Sequence, residues 1–234
     1  MPANKSIAAI VPAAGLGTRM KSKKPKFLHE VCGRPIISHI IYSLIDICDE
    51  VIIVVGNCAE EVIEHVQQEF SSHKEFSKIK FGRQAELLGS ADAVRVGLEI
   101  VSEPIENIFV QLGDVPLMTK EIASEIISKF NSENSKLLIA TAILDDPFGY
   151  GRIVRNENGE IQKIVEEKDC DESQKKISES NMFPFVFSKA FLKSALPKVK
   201  SNNQQKELYL TDCVGIASDE NEIIASYIYE DVEY

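Results

Sequence analysis

Short continuous apolar runs alternate with longer segments whose apolar positions recur every three to four residues. Ile7 to Val11 and Val51 to Gly56 are uninterrupted runs of the kind found in strands buried on both faces. Between them, Pro35 opens a helix in which Ile36, Ile37, Ile40, Ile41, Leu44 and Ile45 form one apolar face. AEEVIEHVQQEF predicts an amphipathic helix, Ile79 to Phe81 a weak strand and Ala91 to Val101 a further helix. NIFVQLGD predicts a strong strand ending at Asp114, followed by a helix over 119–130 and a strand over 136–143. Such β-α-β alternation predicts a mainly parallel sheet covered on both faces.

After about residue 145 the texture changes. GRIVR and EIQKIVE flank NENG, a hairpin signal. KDCDESQKKISES reads as a loop with some helix, NMFPFVF as a strand and SKAFLKSAL as a helix. SNNQQKE reads as a flexible connector, YLTDCVGIA as a helix and EIIASYIY as the last strand. There is no internal repeat, no low-complexity tract and no hexapeptide pattern. The expectation is one α/β domain over 1–234, with a Rossmann-like, mainly parallel (mixed) sheet and helices on both faces. Its nucleotide-binding core would span about 1–144, and a smaller mixed α/β lobe with closing elements about 145–234.

Charge narrows the function. With 36 acidic and 26 basic side chains the chain is formally −10. Its long-range field would repel polyanions, which argues against nucleic acid or a membrane surface as partner. No apolar run reaches membrane-spanning length. Lys5 followed by SIAAIVPAAG faintly suggests a secretion signal, but the apolar core is too short before Pro12. Five cysteines, an odd number with no Cys-x-x-Cys pair, read as reduced thiols in a cytoplasm. The four histidines show no zinc spacing. Against this acidic background, Arg19, Lys21, Lys23, Lys24 and Lys26 cluster directly after Gly15 and Gly17. The loop lacks the third glycine of a dinucleotide fingerprint and the Gly-Lys-Ser/Thr of a Walker loop. Two readings stand. In one, glycine N–H groups approach a phosphate that Arg19 grips in bidentate fashion and Lys26 meets as a movable charge. In the other, the segment is a solvated basic loop, and Lys21, Lys23 and Lys24 are individually surface charge.

Ala13-Ala14-Gly15-Leu16-Gly17-Thr18-Arg19-Met20 with Pro25-Lys26-Phe27-Leu28-His29 resembles the signature of the sugar-1-phosphate nucleotidylyltransferases. The resemblance is nearest to the uridyltransferase domain of the bacterial N-acetylglucosamine-1-phosphate uridyltransferases. It continues in order through QAELLGS (84–90), GDVPL (113–117), DPFGYGRIVR (146–155), IVEEKD (164–169) and ELYLTD (207–212). The resemblance implies transfer of a uridylyl group from UTP to N-acetylglucosamine 1-phosphate, with Mg²⁺ as cofactor. It assigns Ala13, Ala14 and Gly15 to the nucleotide, Gln84 to the uracil edge, and Gly89 and Ser90 to base and ribose. Arg19 and Lys26 would hold the triphosphate and Asp114 would ligate the metal. Gly151, Glu166 and Asn181 would contact the sugar phosphate in the smaller lobe. A two-sided amide at Gln84 can both donate and accept at a pyrimidine edge. The attacking phosphate oxygen is already ionised, so no general base is required.

Several positions depart from that pattern. Ser90 replaces a threonine, and Ala91-Asp92 stands where Gly-His is usual. Leu112 stands where a tyrosine is usual, and Asn181-Met182-Phe183 where Asn-Thr-Gly is expected. The second metal ligand of the family, an asparagine after the last strand, would fall about two residues beyond Tyr234, with Asp231 or Glu233 as substitutes. The acetyltransferase domain of the bifunctional members has no counterpart, so acetyl transfer is not expected. Two alternatives therefore stay open: uridylyl transfer to a different sugar 1-phosphate, and a nucleotide-sugar binding or regulatory protein with weak turnover.

Overall fold

The computed structural model describes residues 5–15, 17, 20–22 and 24–230. The chain starts in β1 (Ile7–Ala13), passes a small hairpin of β2 (Glu30–Val31) and β3 (Arg34–Pro35), and enters α1 (Ile36–Leu44). Next come β4 (Glu50–Val55), α2 (Ala59–Phe70), β5 (Ile79–Arg83), α3 (Ser90–Leu98), β6 (Asn107–Val110), α4 (Lys120–Glu133) and β7 (Leu137–Ile143). The second half adds β8 (Arg152–Arg155), β9 (Ile161–Val165), β10 (Glu179–Ser188), α5 (Lys189–Ala195), α6 (Asp212–Asp219) and β11 (Ile224–Ile228).

The main sheet runs β11-β7-β10-β6-β1-β4-β5, with β8 and β9 branching from β10. β1 pairs parallel with β4 and β6, β4 with β5, and β11 with β7. β10 opposes both of its neighbours, β6 and β7, which makes the sheet mixed but mostly parallel. The elements after residue 145 thus divide. β10 and β11 lie within the main sheet, while the β8–β9 hairpin projects from it.

Period-two alternation sorts β1 between two cores. Ala8 and Ile10 face the core made by α3, α5 and α6. Ile7, Ala9 and Val11 face the core made by α1, α2 and α4. This two-sided burial explains why the parallel strands read as continuous apolar runs rather than alternating ones. Side-chain caps set two helix starts: Thr119 Oγ1 accepts from the Ile122 N–H at 3.2 Å, and Ser188 Oγ from the Phe191 N–H at 3.2 Å. Each cap stabilises its helix by about 1 kcal/mol. The NENG hairpin forms as expected, with Gly159 at φ +81° and its N–H on the Asn156 carbonyl at 2.9 Å.

Two boundaries near the clefts and one connector differ from the sequence reading. β6 ends at Val110, not at Asp114. Gln111 and Gly113 still donate to β1, at the carbonyls of Ile10 (3.1 Å) and Pro12 (3.0 Å). On the other side the pairing with β10 ends at Phe185 opposite Val110, and Pro184 next to it has no N–H to offer. Asp114 therefore sits on a loop beyond the strand. The YLTDCVGIA helix starts only at Asp212, because Leu208 is held to residues 88–91. SNNQQKE is pinned rather than free: the Asn203 side chain bridges Glu207, and the Gln204 N–H reaches Asp169 Oδ1 at 3.0 Å. Among the described residues no helix is long and apolar enough to cross a membrane. All five cysteines are unbridged; burial seals Cys48 and Cys213 and pushes both thiols up to about 12.

Candidate active site

Two clefts open at the carboxyl edge of the parallel strands, where open α/β sheets place ligands. The first has a volume of about 690 Å³ and brings together Ala14, Gly15, Lys26, Gln84, Gly89, Ser90 and Asp114. They come from the loop after β1, the short 3₁₀ turn at Lys26–Leu28, the end of β5, the start of α3 and the loop after β6. Ala13 is not on this wall; its side chain is fully buried in the core. Arg19 lies outside the described residues, as do Asp231 and Glu233.

Gly89 adopts φ +124°, and a Cβ there would meet the Leu208 carbonyl oxygen at 2.4 Å. Only glycine lets the 88–91 and 207–210 segments approach this closely. The approach is held by Leu208 N–H to the Leu88 carbonyl (2.7 Å), Ala91 N–H to the Leu208 carbonyl (2.9 Å) and Leu210 N–H to Ser90 Oγ (2.9 Å). The same approach brings Glu207 to the cleft wall.

Gln84 is buried, and its Nε2 donates to Asp92 Oδ2 at 2.8 Å and to the Gly89 carbonyl at 3.2 Å. Both amide hydrogens are engaged inside the protein. The two-sided contact expected of Gln84 is therefore corrected: the carbonyl Oε1 is the part left for a ligand. Asp92 escaped the sequence reading as a functional position. An acidic residue in the first turn of a helix already has a role with the helix dipole, and nothing in the spacing links it to Gln84.

The second cleft, about 700 Å³, brings together Gly151, Glu166 and Asn181. A Cβ on Gly151 would lie 2.8 Å from Ile164 Cγ2 and 3.4 Å from Glu166 Oε2, so a side chain there would crowd the acid. Glu166 Oε1 accepts from Thr211 Oγ1 at 2.8 Å. Desolvation raises its carboxyl above the usual range; the Thr211 hydroxyl works against that shift, and Asp169 adds to it. Nearby Asp212 is pushed up to about 6 by desolvation, with Glu166 and Asp169 contributing. Asn181 Oδ1 is buried and accepts no hydrogen bond from a described residue, although the Asn181 N–H is tied to the Gly151 carbonyl at 2.7 Å. Met182 and Phe183 line this cleft, together with Leu112, Pro116, Met118 and Ile122.

Leu112 and Asp114 line both clefts, so the two volumes meet there. Asp114 forms an ion pair with Lys26, and both side chains keep access to solvent. Lys26 thereby balances the carboxylate at the junction.

This sheet, with joined clefts on its carboxyl edge, is the architecture of an α/β nucleotidyltransferase, and the chain belongs to the MobA-like NTP transferase domain family, which matches residues 9–209. Among its relatives, a bifunctional protein GlmU from Thermoanaerobacter pseudethanolicus is 39% identical over 216 residues, covering 92% of this chain and 45% of the relative. The bifunctional protein GlmU of Bacillus subtilis is 37% identical over 220 residues, covering 94% and 46%. The chain thus spans about half the length of these relatives. Among solved structures, a UDP-glucose pyrophosphorylase complexed with UDP-glucose superimposes with a TM-score of 0.76 at 16% identity, covering 95% of this chain and 91% of that one. A putative glucose-1-phosphate thymidylyltransferase from Bacillus anthracis gives 0.75 at 19% identity, covering 96% and 87%. At those identities the likeness speaks for the fold.

Proposed function

We propose that this chain transfers a uridylyl group from UTP to N-acetylglucosamine 1-phosphate, releasing UDP-N-acetylglucosamine and pyrophosphate. The observation that carries the reading is the meeting of two clefts at Asp114. All the candidate nucleotide residues except the buried Ala13 line one cleft, and the candidate sugar-phosphate residues line the other. A sugar phosphate in the second cleft and a triphosphate in the first would bring their phosphates together at this junction. The similarity to bifunctional GlmU proteins supports nucleotidyl transfer to a sugar 1-phosphate, and the choice of UTP and N-acetylglucosamine 1-phosphate follows the motif resemblance described above.

The reaction forms a bond from a sugar-phosphate oxygen to the α-phosphorus and breaks the bridging α–β bond, whose electron pair leaves with pyrophosphate. The two reacting groups are anions, and Lys26 stands where it can offset their repulsion and charge on the leaving group. Arg19 is assigned the same role. Glu166 and Asn181 orient the sugar, and in-line positioning supplies much of the remaining acceleration. Asp114 fits Mg²⁺: it is a cleft-facing carboxylate beside the expected phosphates, the donor set suited to a hard cation that keeps several waters. Bound there, the ion would neutralise phosphate charge, and Lys26 would exchange its Asp114 contact for phosphate oxygen.

A second reading keeps the reaction and changes the sugar. It is favoured by Leu112, Met182 and Phe183, which make the wall of the sugar cleft bulky and apolar. Pyrophosphate release from UTP with a panel of sugar 1-phosphates tests both. Preference for the N-acetylated sugar, loss without Mg²⁺ and loss in Asp114→Ala are expected. Preference for a non-acetylated sugar would replace the first reading with the second, and no release with any sugar would end both.

A further inference from the structure

Gln84 follows directly on β5, and its backbone N–H donates to the Val55 carbonyl at 2.8 Å, which fixes where the side chain starts. The two groups that meet its Nε2, the Asp92 carboxylate and the Gly89 carbonyl, are both acceptors. Turning the amide over would set its oxygen against two oxygens. The network therefore admits one orientation, with Nε2 inward and Oε1 left for the cleft.

Asp92 is fixed in turn. It is 4% exposed, and its Oδ1 accepts from Arg95 Nε at 3.1 Å and Nη2 at 2.7 Å. Arg95 is steadied from its other side by Glu99, at 2.7 Å. Each oxygen of Asp92 is thus assigned, one to the guanidinium and one to the amide. An acceptor held in this way meets uracil and cytosine differently. Uracil and thymine carry a hydrogen on N3, whereas cytosine carries a lone pair there.

We infer that Asp92 is the positioning residue for base selection, holding the Gln84 carbonyl toward the cleft to accept the imide N–H of uracil or thymine and to repel N3 of cytosine. The inference rests on the nucleotide assignment of the first cleft made above. It adds a residue outside that set and predicts which bases the cleft refuses.

Asp92→Asn keeps the shape and removes one acceptor. The guanidinium of Arg95 claims the remaining oxygen, so the new NH₂ faces Gln84 and turns or frees its amide. The test is equilibrium titration of the full chain with UTP and with CTP, both with Mg²⁺. Wild type is expected to bind UTP more tightly than CTP. In Asp92→Asn that ratio is expected to fall at least about tenfold, the size of reversing one buried hydrogen bond. A purely structural role would weaken both nucleotides together and leave the ratio unchanged, which would overturn the inference. Equal binding of UTP and CTP by wild type would also overturn it, while pyrophosphate release could still uphold the transfer reaction. Binding of neither nucleotide would overturn both. If Asp92→Asn fails to fold, Gln84→Met leaves the Asp92–Arg95 pair in place; a UTP preference that survives it refutes the inference.

Discussion

Gly89→Ala probes how the first cleft is built, and its cost can be worked from two terms. Gly89 sits at φ +124°, ψ −179°, directly before α3. That region is essentially restricted to glycine, and an alanine held there costs about 1–3 kcal/mol. The new Cβ would also lie 2.4 Å from the oxygen, 2.7 Å from the nitrogen and 3.0 Å from the carbon of Leu208, all backbone atoms that cannot rotate away. Relief requires the 207–210 segment to move off. That breaks its hydrogen bonds to Leu88, Ala91 and Ser90. At a net value of about 1 kcal/mol each, losing two or three adds about 2–3 kcal/mol. The total, about 3–6 kcal/mol, is comparable to the stability of a whole domain. For a chain of this size it lowers Tm by about 6 °C or more. Calorimetry gives the shift, and hydrogen exchange locates it. The Ala91, Leu208 and Leu210 amides should lose more protection than those of β4. A variant that melts within about 2 °C of wild type, with those three amides still protected, would refute the reasoning.

Asp212→Asn tests the partly buried acids around Glu166. Asp212 has its carboxyl pushed up to about 6 by desolvation, then by Glu166 and Asp169. A raised acid pKa means that the folded state holds the proton more tightly, so the group costs stability as pH rises from about 4 through about 6, and the cost persists above that. Screening at this half-exposed site, and the favourable place of a charge at the start of α6, leave a net gain of about 1 kcal/mol for the variant at pH 8; thermal melts should show that gain vanish by pH 4. Glu166→Gln should raise KM for the sugar phosphate about tenfold or more, the worth of one charge-assisted hydrogen bond. UTP binding by calorimetry should not change. Phe70→Ala, which empties a fully buried site against Tyr42 that belongs to the lining of neither cleft, should cost about 3–5 kcal/mol in urea unfolding and leave KM values unaltered.

The strands of the first half were legible because burial on both faces leaves an uninterrupted apolar run, as in VIIVV of β4. The helices were legible because one-sided burial repeats at helical spacing, as in the isoleucines of α1. The end of β6 was not legible. NIFVQLGD is chemically suitable for a strand throughout, and it stops at Val110 because the next partner on β10 is Pro184, 74 positions later, which has no N–H to pair. The connector SNNQQKE has the composition of a mobile loop, yet Asn203, Gln204 and Gln205 hydrogen-bond within the segment or to Asp169 and Tyr209. Polar side chains that solvate a loop in one context pin it in another, and the local sequence is the same in both.

The candidate site divides along the same line. Lys26, Gln84, Gly89 and Asp114 were named from ordered motifs, because each motif is a short stretch in which residue type and chemistry travel together. Spacing along the chain did not carry the distances between those stretches. Only the folded sheet brings Asp114 to Lys26, 88 positions away, and Ser90 to Leu210, 120 positions away. The sequence by itself determined the α/β architecture and the chemical kinds of group available, since periodicity and residue type are local properties. The tertiary structure alone decided that the two clefts share Asp114, that Met182 and Phe183 wall one of them, and that Asp92 and the Gly89 carbonyl hold the Gln84 amide nitrogen. Those outcomes depend on long-range contacts, in which a side chain's role is set by the partner the fold delivers to it.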